Sequence, residues 1–212
     1  MKTKARADKL RKTLNSLYPE VKPALHYSNA FELLVATILS AQCTDERVNQ
    51  VTEPLFQELN TPRDFAESSL EEIEARIRPT GFFRNKAKSI QGMARQLTQK
   101  HGGNVPDRLE DLVNLPGVGR KTANVVLGAA FGIPGIVVDT HVKRVSLRME
   151  LTRQKDPEKI ERDLMEIIPR REWSDFSLRM IFFGRQTCQA RKPRCPECPV
   201  RSICPYPHKT SA

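Results

Sequence analysis

Four cysteines near the end of the chain, Cys188, Cys195, Cys198 and Cys204, follow the spacing C-x6-C-x2-C-x5-C. Thiolates packed this closely are ligands for a metal centre, either tetrahedral zinc or an iron–sulfur cluster. Structural zinc sites favour two separated C-x2-C pairs, and only Cys195 and Cys198 form such a pair here. The wider spacing of the flanking two favours a cluster over zinc. Proline follows three of the ligands, as Pro196, Pro199 and Pro205, and stiffens the loop. The stretch between the first two cysteines carries Arg191, Lys192 and Arg194. The centre therefore reads as a staple for a cationic surface rather than as a redox catalyst.

Leu115-Pro116-Gly117-Val118-Gly119-Arg120-Lys121-Thr122-Ala123 joins two helical patterns. Two glycines flanking one valine allow a tight turn and bare the amides that open the second helix. Those amides, with the helix dipole behind them, form a seat for a phosphate that ignores sequence. A plain helix–turn–helix corner explains the same residues equally well. Lys121 stands in the first turn of that helix, beside Arg120, where the dipole and a like charge make an awkward place for an ammonium. This suits a nucleophilic amine; a phosphate-binding lysine is the simpler alternative.

Val137-Val138-Asp139-Thr140-His141-Val142 puts one carboxylate after an apolar run and at the head of another helix. Asp139 is a good N-cap, and a carboxylate held by helix amides has a fixed direction from which to stabilise a developing cation. His141 is a candidate ligand contact, although a lone histidine is more often structural. Cys43 reads as a small buried apolar residue.

The elements that must position these groups are helical. Leu10, Leu14 and Leu17 mark one face of a first helix, and Phe31, Leu33, Leu34, Thr37 and Ile38 a more buried second one. Asn29 with Glu32, Ser69 with Glu72 and Asp107 with Glu110 have capping-box spacing. Pro62 and Pro157 mark helix starts, and Gly81 and Gly102-Gly103 mark stops. Ile136-Val137-Val138 is strand-like but too short and isolated for a sheet. The fold class is all-α. About 22–135 forms one helical unit, and 1–21 plus 136–212 form a discontinuous second.

Lys plus Arg total 35 against 25 Asp plus Glu, a formal charge of +10 that favours a polyanion, nucleic acid before an anionic membrane. The N-terminus is basic with no apolar segment behind it, so it is not a secretory signal, and no run is long enough to span a bilayer. The expected location is cytoplasmic, associated with a bacterial or archaeal nucleoid, and nothing demands more than a monomer.

Taken together, the glycine hairpin with its lysine, Val138-Asp139-Thr140-His141-Val142, the four cysteines and Leu39-Ser40-Ala41-Gln42 followed by Thr44-Asp45 resemble the endonuclease III family of DNA glycosylase/AP lyases. The likeness runs in order over nearly the whole chain. It implies the helix-hairpin-helix DNA glycosylase fold, two helical domains flanking a cleft. It implies a [4Fe–4S] cluster on Cys188, Cys195, Cys198 and Cys204, and removal of oxidised pyrimidines from duplex DNA followed by strand cleavage. By resemblance Lys121 attacks the sugar C1′, Asp139 assists, and Gln42 fills the gap left by an extruded nucleotide. Gly117, Val118, Gly119, Arg120, Arg191, Lys192 and Arg194 are the expected backbone contacts; Ser40, Asp45 and His141 are the expected lesion pocket. Where the family often carries an aliphatic wedge, this chain has Phe82-Phe83, and Phe82 is the expected substitute. The rivals are a monofunctional mismatch or adenine glycosylase, whose kind generally lacks the lysine, and a non-catalytic DNA-binding redox sensor.

Overall fold

The computed structural model describes residues 3–211; the first two residues of the basic N-terminus lie outside the described residues. Among the described residues there are helices and turns but no strand. No helix is long and apolar enough to cross a membrane. Two compact units form: Pro23–Ile133, and the chain up to Lys22 together with the chain from Pro134 onward.

The continuous unit is built around α2 (Ala30–Leu39), in which every residue from Phe31 to Leu39 is buried. A helix buried on all sides must be central, and here α3 (Asp45–Glu58), α6 (Phe83–Lys100) and α8 (Arg120–Phe131) pack against it. The shorter α4 (Pro62–Glu67) and α5 (Leu70–Ile77) pack on α6, and α7 (Leu109–Leu112) packs on α8. Asn29 caps α2 by accepting from the Glu32 amide at 2.9 Å, and the Glu32 carboxylate accepts from the Ser28 amide at 2.6 Å. Ser69 caps α5 by accepting from the Glu72 amide at 3.1 Å, while the Glu72 carboxylate accepts from Arg76 at 3.0 Å. Asp107 does not cap α7. The helix starts one residue late for that, with Arg108 at the cap position and no side-chain bond. His101-Gly102-Gly103 ends α6, where the left-handed Gly103 (φ 79°) returns its amide to the Leu97 carbonyl at 3.0 Å.

The discontinuous unit holds α1 (Thr3–Leu17), α9 (Thr140–Arg148), α10 (Pro157–Ile167) and α11 (Trp173–Gln186). Leu10 and Leu14 of α1 are fully buried, but Leu17 is 45% exposed because the apolar face ends one turn earlier than the leucine spacing suggests. Arg6, nearly buried, donates to the Met149 carbonyl at 2.8 Å, and Arg11 donates to both Glu172 oxygens at 2.8 Å. These bonds fasten the N-terminal helix to residues more than a hundred positions away. The segment Ile136-Val137-Val138 is extended without a strand partner. Its polar groups are met by α11 instead: the buried Val137 amide donates to Ser177 Oγ at 3.0 Å, and the same hydroxyl donates to the Trp173 carbonyl at 2.9 Å. This fixes the chain two residues before Asp139.

Ser177→Ala strands the Val137 amide in a dry site and is expected to cost about 1–3 kcal/mol. A urea or thermal unfolding midpoint equal to wild type would show that the hydroxyl does not anchor this segment.

Candidate functional site

The glycine hairpin hangs from one apolar peg. Val118, 5% exposed, enters the core formed by Leu112, Leu115, Ala123 and Val126, while Gly117 and Gly119 on either side remain exposed. The two glycines have different reasons to be there. Gly117 is left-handed (φ 77°), and a Cβ on it would stand 2.6 Å from Ser89 Cβ, so both backbone and packing require glycine. Gly119 has an ordinary φ of −89° and nothing within 4 Å of where its Cβ would lie. No internal contact asks for glycine at that position, and the space over it is open. Gly119 is also the cap residue of α8 and supplies no side-chain acceptor. The N-terminus of α8 therefore has no side-chain cap, the kind of helix end that suits an external anion. Lys121 follows in the first turn and is exposed; Arg120 is half-buried and has an interaction of its own.

Beside the hairpin, Gln42, Phe82, Asn85, Lys86, Ser89 and Gly117 line a surface cavity of about 230 Å³. Gln42 (φ 54°) and Phe82 (φ 49°) are both left-handed although neither is glycine. Such residues each cost about 1–2 kcal/mol and persist only where the surroundings impose them. Phe82 is 63% exposed, whereas the half-buried Phe83 packs against the core. One of the two adjacent aromatics thus points outward at the cavity rim and the other anchors the turn. Ser40 closes α2, its hydroxyl donating to the Thr37 carbonyl at 2.9 Å, and Asp45 opens α3. Both flank the Gln42 turn without lining its cavity. Cys43 is half-buried against the same core.

In the other unit Asp139 caps α9. Its Oδ1 accepts from the His141 and Val142 amides, both at 2.8 Å, and Oδ2 has no hydrogen bond among the described residues. His141 Nδ1 lies 3.0 Å from Arg144 Nη2. Arginine can only donate, so Nδ1 is the acceptor in this contact. Burial pushes this histidine below its ordinary pKa, with Arg144 and Arg185 acting in the same direction and Asp139 against it. A Cβ on Gly184 would come within 2.8 Å of His141 Cβ, which explains the glycine in α11 at the crossing with α9.

The far end of α9 grips the cysteine loop. Arg144 donates to the Cys188 carbonyl at 3.0 Å and the Gly184 carbonyl at 2.9 Å. Arg148 donates to the Gln189 and Ala190 carbonyls at 2.7 and 2.8 Å and lies 3.3 Å from Cys188 Sγ. Its guanidinium stacks on Tyr206, 4.6 Å from the ring centre. Arg191, Lys192 and Arg194 are exposed on the loop, which the Arg194 amide closes onto the Thr187 carbonyl at 2.9 Å.

The description "HhH-GPD superfamily base excision DNA repair protein" matches residues 35–170. Endonuclease III of Synechocystis sp. is 54% identical over 203 residues, 95% of this chain and 93% of that protein. The chain belongs to the endonuclease III family. Two solved structures, a non-covalent endonuclease III–DNA complex and a trapped endonuclease III–DNA covalent intermediate, each superpose with a TM-score of 0.93 at 47% identity, covering 97% of both chains.

The family implies an iron–sulfur cluster, and the cysteine loop can be tested for it. Cys188, Cys195, Cys198 and Cys204 line one small cavity, walled by Met149, Phe183 and Val200 and edged by Arg148. Burial, with the neighbouring cysteines adding to it, pushes the Cys198 and Cys204 thiols above their ordinary range. Buried thiolates therefore need a cationic centre beside them. Among the described residues, no group of three or more His, Cys, Asp or Glu side chains is arranged to hold a metal ion. A sulfur-only donor set around a shared apolar cavity fits a cluster.

The two hairpin glycines should separate on substitution. Gly117→Ala is expected to lower stability by about 1–3 kcal/mol, from strain and the clash with Ser89. Gly119→Ala should stay within about 1 kcal/mol of wild type yet weaken duplex binding in a titration at fixed salt. Unchanged binding by a folded Gly119→Ala protein would make the hairpin a structural corner only.

Proposed function

We propose that this chain is a bifunctional DNA glycosylase/AP lyase of base-excision repair that removes oxidised pyrimidines from duplex DNA and cleaves the strand by β-elimination through an imine on Lys121. The observation that carries the reading is the exposed amine of Lys121 in the first turn of a helix whose leading amides lack a side-chain cap. Similarity to a trapped endonuclease III–DNA covalent intermediate supports a covalent mechanism.

The amides at Gly117 and Gly119 hold a backbone phosphate, and the open space over Gly119 lets it approach. Arg191, Lys192 and Arg194 neutralise further phosphates whatever the sequence. A damaged base stacks poorly, so extruding it costs less than extruding a normal one. Gln42 enters the gap it leaves, and Phe82 wedges into the stack from the same cavity rim. By family resemblance, Ser40, Asp45 and His141 each contact the extruded base.

The Lys121 amine then attacks C1′. The C1′–N bond breaks, the base departs with the bonding pair and takes up a proton, and the sugar ring opens to an imine on Nζ. The imine draws electrons, the 2′ proton becomes acidic and is removed, and the C3′–O bond breaks to release the 3′ phosphate. Asp139, held by two amides, opposes the developing positive charge on the sugar and accepts a proton from the attacking amine. A [4Fe–4S] cluster on Cys188, Cys195, Cys198 and Cys204 supplies a rigid cross-link for the basic loop. The chain works as a monomer on nucleoid DNA.

Lys121→Gln should bind an abasic-site duplex about as tightly as wild type and give no borohydride-trapped adduct. Trapping by that variant would assign the nucleophile to another amine. Lys192→Ala should weaken all sequences alike and flatten the logarithmic salt dependence by about one unit; an identical slope would remove the cysteine loop from the interface.

A further inference from the structure

Lys86 is absorbed by none of the roles above, and its surroundings are unusual for a lysine. It lies in the first turn of α6 and is 5% exposed. Its ammonium donates to the Leu39 carbonyl and the Thr80 carbonyl, each at 2.8 Å. Among the described residues no carboxylate pairs with it. Burial lowers its pKa from the ordinary lysine range, with Cys43 opposing that shift. A buried cation without a counter-ion is unfavourable unless its position gives something that an apolar side chain would not.

The two acceptors indicate what that is. Leu39 is the last residue of α2, and Thr80 ends the 3₁₀ turn Arg78–Thr80. Both carbonyls are therefore orphaned helix ends, and the negative ends of the helix dipoles suit a cation. Each carbonyl also opens a turn that carries a left-handed residue, Gln42 three positions after Leu39 and Phe82 two after Thr80. The two turns are about forty residues apart in sequence, and Gln42, Phe82 and Lys86 all line the same cavity.

We infer that Lys86 is a positioning residue: its ammonium bolts the Gln42 turn to the Phe82 turn, so that gap-filler and wedge act as one rigid unit when a base is extruded. This rests on the glycosylase reading of the site. Lys86 does not touch the reacting atoms and acts only through the two side chains it aligns. A capping lysine that merely completes two helix ends would affect stability without distinguishing duplex from single-stranded substrate.

The test compares single-turnover excision of an oxidised pyrimidine from duplex with borohydride trapping on a single strand carrying a pre-formed abasic site, where no stack has to be opened. Both are measured for wild type, Lys86→Met, the Gln42→Ala/Phe82→Ala double variant and the triple variant. Lys86→Met should lower the duplex-to-single-strand ratio about ten- to a hundredfold, the scale of a small misplacement. The triple variant should be no slower than the double, because Lys86 has no other route of action. An unchanged ratio, or a triple variant slower than the double by the full factor, overturns the inference. Lys86→Gln carries the same cycle if the methionine variant does not fold, and failure of both to fold would make Lys86 a core residue and overturn it equally. A wild-type protein that traps nothing on the abasic strand would instead reject the glycosylase reading, and this inference with it.

Discussion

The start of α8 is the constraint on which the rest of the site depends. The helix capped by Gly119 has no cap side chain for its first turn, which leaves that end suited to water or a ligand. Val118 keeps that uncapped end in place by burying its side chain between two exposed glycines. The peg supplies the apolar energy, and the flanking residues give up their side chains to leave the amides bare. Lys121 inherits its position from this arrangement. Moving the helix start by one residue would turn the amine through about 100° around the helix axis.

In the other unit one short helix plays a comparable part. The N-terminus of α9 is held by Asp139, and Arg144 and Arg148, one turn apart, hold the backbone of the cysteine loop. Nine residues thus connect the proposed carboxylate with the proposed cluster site. Gly184 lets α11 approach closely enough to fix the His141 ring, and Ser177 of the same helix secures the segment leading into Asp139. The direction of the carboxylate is set by hydrogen bonds on both sides of it.

Much of this was legible in the chain itself because the features depend on local spacing. The hairpin, the cap at Asp139, the caps at Asn29 and Ser69 and the cysteine framework all encode their geometry within a few residues. Features set by distant contacts were not legible. Lys86 lies in Arg84-Asn85-Lys86-Ala87-Lys88, a stretch that reads as solvated surface, and its burial depends on two carbonyls from elsewhere in the unit. The left-handed conformations of Gln42 and Phe82 oppose local preference and follow from tertiary packing. Asp107 has the right spacing for a cap, but α7 starts at Leu109. Ile136-Val137-Val138 has strand composition, yet a serine on a helix meets its backbone. One signal was available for the wedge: of two adjacent aromatics after a glycine stop, only one can face the core.

The central claim is chemical, that the amine at the start of α8 is the one that becomes covalently bound to the sugar. Borohydride reduction of the protein on an abasic-site oligonucleotide, followed by digestion and mass spectrometry, locates that bond directly. The account predicts a single sugar-phosphate adduct on Nζ of Lys121. An adduct on any other amine, or strand scission with no adduct on this peptide, would contradict it.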